Sequence, residues 1–128
     1  MPATPHILVV DDDPALLENI AECLTAEGFE VSVARDGAAA LARLSEAPRP
    51  AVVIIDQRMP GMTGTELVAR IRRQPALAGV RLVLASGLPP SRAAGGSDGE
   101  ADAVLEKPFG VDALLGAVRA QLAGTSQP

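Results

Sequence analysis

Aromatic side chains are nearly missing from this chain. Of its 128 residues only Phe29 and Phe109 are aromatic, and there is no Tyr or Trp. That excludes the stacking platforms that hold single-stranded nucleic acid or RNA. It also leaves a core of Val, Ile, Leu and Ala, suited to a tightly packed sheet covered by helices. Basic charge is short as well. Eleven Lys and Arg against 16 Asp and Glu give a net charge of −5, which argues against nucleic acid as a direct partner, since phosphate neutralisation needs a basic surface. With a single cysteine, Cys23, neither a disulfide framework nor a thiolate metal cage can form. In its apolar helical pattern Cys23 reads as a small buried hydrophobe. No apolar stretch approaches the roughly 18 residues of a membrane helix, and Met1 to Pro5 carries neither the basic region nor the apolar run of a signal peptide. A cytoplasmic protein without membrane contact is the expectation, and the length fits one domain.

What is present is an alternation of two hydrophobic periods. His6 to Val10 is a continuous apolar run, as in a strand buried on both faces. Asp13 then caps a helix with Pro14 at its first position, carrying Leu16, Leu17, Ile20, Ala21 and Leu24 at helical spacing and stopping at Gly28. Phe29 to Ala34 reads as a second strand and Ala38 to about Glu46 as a second helix, ended by the prolines at 48 and 50. Ala51 to Asp56 is the strongest strand signal and ends on a carboxylate. Thr63 with Glu66 three residues on makes a capping box for a third helix. Val80 to Ser86 and Ala103 to Glu106 read as strands four and five, and Val111, Leu114, Leu115, Val118 and Leu122 mark a final helix. Between strands four and five, Pro89, Pro90, Gly95, Gly96 and Gly99 make the intervening helix, fourth in chain order, short or irregular, with one turn around 91–94 at most. The expected boundaries are a tail at 1–5, a domain at 6–123, and a tail or linker start at 124–128. Repeated β-then-α units imply a doubly wound parallel sheet with helices on both faces, whose ligands bind beyond the carboxyl ends of the strands.

The polar residues of interest fall at that edge. Asp11 and Asp12 end strand one, Asp56 ends strand three, Ser86 ends strand four, and Lys107 follows strand five. Three carboxylates at two adjacent strand ends repel one another unless a cation joins them, and oxygen ligands suit a hard divalent ion, Mg²⁺ first and Mn²⁺ next. Taken singly each residue has a bland reading: an Asp at a strand end is commonly a turn former or cap, and Asp13 is assigned that way. A Ser ending a strand commonly bonds backbone, and a Lys before Pro is commonly a solvated charge. Together, on separate elements at one end of one sheet, they point to a site.

Four motifs carry a resemblance. They are Ile7-Leu8-Val9-Val10-Asp11-Asp12-Asp13, Ile55-Asp56-Gln57-Arg58-Met59-Pro60-Gly61-Met62-Thr63-Gly64, Leu84-Ala85-Ser86-Gly87 and Lys107-Pro108-Phe109. In this order and spacing, from His6 to Leu122, the chain resembles the receiver domains of two-component response regulators, the CheY-like superfamily. The resemblance implies a flavodoxin-like sheet of strand order 2-1-3-4-5. It implies a phosphorylation switch in which Asp56 takes a phosphoryl group from a phosphohistidine on a sensor histidine kinase or histidine phosphotransfer protein. Asp11, Asp12, Asp56 and the backbone carbonyl of Arg58 would hold Mg²⁺. Lys107 would pair with one phosphoryl oxygen and the Ser86 hydroxyl with another, while Pro108 matches a proline usually preceded by a cis peptide that aims the lysine inward. Such a domain assists only its own phosphorylation and dephosphorylation and turns over no outside substrate. Signalling would proceed by contact with a downstream protein; a homodimer is left open.

The chain departs from the family in two places. The residue three before the lysine, usually Tyr or Phe and half of the switch with the Ser86 position, is Val104. The weak helix after Ser86 would otherwise form part of the output face, so the segment Gly87 to Glu100 is expected to be mobile and to order or reshape on phosphorylation or partner binding. Arg58 and Leu88 flank the phosphoryl position, either gating water or simply facing solvent. Two other readings stay open. One is a pseudo-receiver that binds partners without using phosphate. The other is an aspartyl-nucleophile Mg²⁺ phosphatase, whose Asp-x-Asp-x-Thr signature Asp11-Asp12-Asp13-Pro14 lacks.

Overall fold

The computed structural model describes residues 4–87 and 101–125. Five parallel strands, β1 (His6–Val10), β2 (Glu30–Ala34), β3 (Val52–Asp56), β4 (Arg81–Ser86) and β5 (Ala103–Glu106), form one sheet in the order β2-β1-β3-β4-β5. The helices are α1 (Pro14–Ala26), α2 (Gly37–Leu44), α3 (Gly64–Arg72) and α4 (Val111–Thr125), with a 3₁₀ turn at Pro75–Leu77. Strand order and fold class agree with expectation. The expected helix between β4 and β5, with Leu88, lies at 88–100, outside the described residues.

The pleat sorts the aliphatic residues between two cores. Leu8, Val10, Val53, Ile55, Leu82 and Leu84 face α2 and α3, packing with Ala40, Leu44, Leu67, Val68 and Ile71. Ile7, Val9, Val52, Ile54, Val83 and Leu105 face α1 and α4, packing with Leu17, Ile20, Leu24, Leu114, Leu115 and Val118. Because β1 from Ile7 to Val10 and β3 throughout are buried, Ile7 to Val10 and Val52 to Ile55 run continuously apolar instead of alternating. Phe29, Phe109 and Cys23 only flank the second core, half buried. Cys23 is therefore less enclosed than its helical pattern implied.

Local chemistry sets the element ends. Asp13 accepts from the Ala15 and Leu16 amides at 3.0 and 3.4 Å, with Pro14 following. Gly28 takes φ +95°, a conformation open to glycine, to leave α1. The Thr63–Glu66 capping box is formed in both directions. Differences from expectation are small. α2 stops at Leu44, two residues early, because Ser45 closes it with a hydroxyl bond to the Ala42 carbonyl. Val111, expected in the core, is 50% exposed at the start of α4. That helix continues through Gly124 to Thr125, past the expected boundary. No described helix is long and apolar enough to cross a membrane.

One clamp had no signature in the sequence. Asp102, just ahead of β5, accepts from the Leu82 amide at 2.7 Å, from Arg72 at 2.5 Å and from Arg81 at 3.2 Å. Leu82 is fully buried, so removing the carboxylate strands its N–H. Asp102→Ala is expected to cost roughly 2–3 kcal/mol in urea unfolding, and Asp102→Asn, which keeps an acceptor, clearly less.

Candidate functional site

The carboxyl ends of β1, β3, β4 and β5 deliver Asp11, Asp12, Asp56, Ser86 and Lys107 to one edge. The chain leaves β1 into an Asx turn, where Asp11 Oδ1 accepts from the Asp13 amide at 3.0 Å. This turns Asp11 inward, 4% exposed, while Asp12 faces solvent. Asp56 ends β3, aligned with Ala85 of β4, and is 5% exposed. Ser86 ends β4 and is buried. The Lys107 amide donates to the Ser86 carbonyl at 2.8 Å, continuing the β4–β5 pairing by one residue. From there the Lys107 ammonium reaches Asp56 Oδ1 and forms an ion pair with it. The Lys107–Pro108 peptide is cis, as the resemblance implied.

Charge at this edge is unbalanced. Asp11, Asp12 and Asp56 each offer a carboxylate oxygen, and these oxygens lie within 4.8 Å of one another. Burial, foremost, raises the Asp11 pKa above the ordinary carboxylate value. The neighbouring Asp56 and Asp12 charges push the same way, against the Asp13 amide and the Lys107 ammonium. Among the described residues, the Lys107 ammonium against the three clustered carboxylates leaves a surplus of negative charge on all-oxygen donors, which fits a hard divalent cation. Asp11→Asn keeps the oxygen that the Asp13 amide needs and removes one repelling charge. It is expected to raise stability without metal by on the order of 1 kcal/mol while weakening the gain in Tm on adding Mg²⁺, both read from melting curves.

A cleft of about 870 Å³ opens beside the cluster, lined by Asp12, Gln57, Arg58, Met59, Ser86 and Gly87 among others. The Arg58 side chain is exposed there. Val104, aligned with Leu84, is half buried. Gln57 and Gly64 stand in the second motif, but the sequence reading gave neither a role of its own. Gly64 at the first position of α3 presses on the peptide after Asp56: a Cβ there would sit 2.6 Å from the Asp56 carbonyl oxygen and 2.8 Å from Gln57 Cα. A glycine where helices disfavour it was the available signal. Gln57 accepts from the Thr65 amide at 2.8 Å through its side chain and from the Gly64 amide at 3.0 Å through its carbonyl. Nothing in its position announced this.

Comparisons with known proteins agree with this fold. The family described as "Response regulator receiver domain" matches residues 7–119. The transcriptional regulatory protein TcrA of Mycobacterium tuberculosis is 41% identical over 115 residues, covering 90% of this chain and 45% of that protein. The chain spans about half the length of the curated relatives it matches. Among solved structures, the receiver domain of a signal transduction histidine kinase from Syntrophus aciditrophicus superposes with TM-score 0.88 at 29% identity, covering 98% of this chain and 95% of the other. The response regulator TrrA of Thermotoga maritima, solved in complex with Mg²⁺ and BeF, has TM-score 0.82 and 31% identity over 92% of this chain and 99% of its own.

Proposed function

The chain belongs to the response regulator receiver domain family, and from that premise we propose that Asp56 is its phosphoacceptor. The donor is a phosphohistidine on a sensor histidine kinase or a histidine phosphotransfer protein. The observation that carries this reading is the buried Asp56 carboxylate, tied through one oxygen to Lys107 and grouped with Asp11 and Asp12. A carboxylate oxygen of Asp56 bonds to phosphorus as the P–N bond breaks in line, and the bonding pair leaves with the imidazole. The transition state is loose, so the residues act mainly by position and charge. Lys107 neutralises one equatorial oxygen and the Ser86 hydroxyl donates to another. Asp11, Asp12, Asp56 and the Arg58 backbone carbonyl are the groups to hold Mg²⁺, or Mn²⁺, whose charge offsets that of the transferring oxygens. The domain acts on itself alone and passes the signal on by protein–protein contact within the cytoplasm. The acidic balance does not favour a direct nucleic-acid contact by this chain.

Val104 favours a second reading, a pseudo-receiver whose partners bind without phosphate. Acetyl phosphate separates the two. With Mg²⁺ the intact mass is expected to rise by one phosphoryl group, and uptake should slow by about 100-fold or more in EDTA. No uptake in either condition would leave the interaction module as the reading.

A further inference from the structure

Gln57 is held on three sides. Its amide donates to the Ala85 carbonyl at 2.9 Å, extending the β3–β4 pairing beyond Asp56. Its own carbonyl takes the Gly64 amide at 3.0 Å. Its side-chain Oε1 takes the Thr65 amide at 2.8 Å, and Nε2 lies 3.4 Å from the Thr65 hydroxyl. One residue thus joins β4 to the first turn of α3 and closes the neck of the 58–63 loop. The other end of the neck is shut by Gly64 against the Asp56 peptide. Inside the ring the bonds are few: the Met62 amide to the Pro60 carbonyl at 3.0 Å, and the capping box at Thr63. Gly61, at φ +83°, makes the tip.

The same bonds decide the fate of the α3 N-terminus. Helices begin with amides that lack partners within the helix. Here Gly64 and Thr65 are met by Gln57, Glu66 by the Thr63 hydroxyl at 3.2 Å, and Leu67 by the Thr63 carbonyl at 3.0 Å. The first turn of α3 therefore has no amide to lend to an anion in the cleft, and its polar capacity goes into holding the loop.

We propose that Gln57 is a positioning residue that fixes the 58–63 loop and so presents the Arg58 carbonyl to the cation site. The cation-site half of this rests on the reading of Asp11, Asp12, Asp56 and Arg58 given above; the loop-fixing half does not. Groups one step behind metal ligands commonly alter affinity by about 10–100-fold when removed. Gln57→Leu removes acceptor and donor at similar size. Gln57→Glu restores the acceptor for the Thr65 amide. Thr65→Ala removes the long Nε2 contact and the 3.2 Å contact between the Thr65 and Thr63 hydroxyls, leaves the bond from the residue 65 amide to Gln57 in place, and is the control.

Two measurements test it on the whole chain. Without metal, amide exchange at Thr65 and across 58–63 is expected to quicken by about tenfold or more in Gln57→Leu, and to stay near the parent rate in Gln57→Glu and Thr65→Ala. In calorimetric titration with Mg²⁺ alone, Gln57→Leu should bind roughly tenfold more weakly while Gln57→Glu binds at least as well as the parent. Unchanged exchange in Gln57→Leu overturns the proposal, as does quickened exchange with Mg²⁺ affinity equal to the parent's. If the parent itself binds no Mg²⁺, the cation-site reading fails, and the exchange comparison still decides whether Gln57 fixes the loop.

Discussion

Asp56→Asn is expected to take up no phosphoryl group from acetyl phosphate at any Mg²⁺ concentration, with its fold intact. The amide is isosteric with the carboxylate but lacks the charge and the nucleophilic oxygen pair that attack requires. Neither neighbour is placed to substitute. Asp11 is turned into its own Asx turn with Asp13, and Asp12 lies in solvent. Only Asp56 has Lys107 on one of its oxygens. Survival of the fold follows from opposed effects: the substitution breaks an ion pair and at the same time relieves repulsion among three carboxylates. Intact-mass measurement reads the uptake and circular dichroism the fold. A phosphoryl adduct persisting in Asp56→Asn would move the acceptor to another residue.

The second large effect is one of space. Gly64→Ala places a methyl group 2.6 Å from the Asp56 carbonyl oxygen, 2.8 Å from Gln57 Cα and 2.8 Å from Leu84 Cδ1. Two of these are backbone atoms of a central strand and its extension, anchored by parallel pairing to β4, so they cannot yield cheaply. A loss of about 3 kcal/mol or more is expected in urea unfolding. Phosphoryl uptake should fall with it, because the displaced peptide is that of Asp56, the proposed acceptor. Gly116→Ala is the comparison. Nothing lies within 4 Å of its Cβ position on α4, and there alanine should stabilise by about 0.5–1 kcal/mol. Equal effects at both positions would show that helix propensity, not the contact with β3, governs residue 64.

The sheet and the candidate site residues were legible because their signals are local. A strand buried on both faces leaves an apolar run, and a strand end that carries chemistry leaves a polar residue after it. Asp11, Asp12, Asp56, Ser86 and Lys107 all have this form, and the structure gathers them at one edge. Asp13 and Thr63 were legible for a similar reason, since caps work within three residues. Asp102 and Gln57 were not legible. Asp102 lies 20 residues from the amide it accepts and Gln57 eight from its own. No pattern of neighbouring side chains distinguishes an Asp or Gln that reaches a distant backbone from one that meets water. Gly64 falls between: its type gave notice of a tight contact, but not of which backbone it touches.

Val104 has one further consequence. It stands half buried on the edge strand β5, beside Leu84 and two residues before the end of its strand. The chain has no indole or phenol of its own, so a single Val104→Trp substitution yields a protein with one fluorophore and no background to remove. Its emission would follow the polarity around residue 104 in real time, while the groups at the carboxyl edge of the sheet stay as they are. Few proteins permit an optical probe at such a position without first deleting the aromatic residues that obscure it.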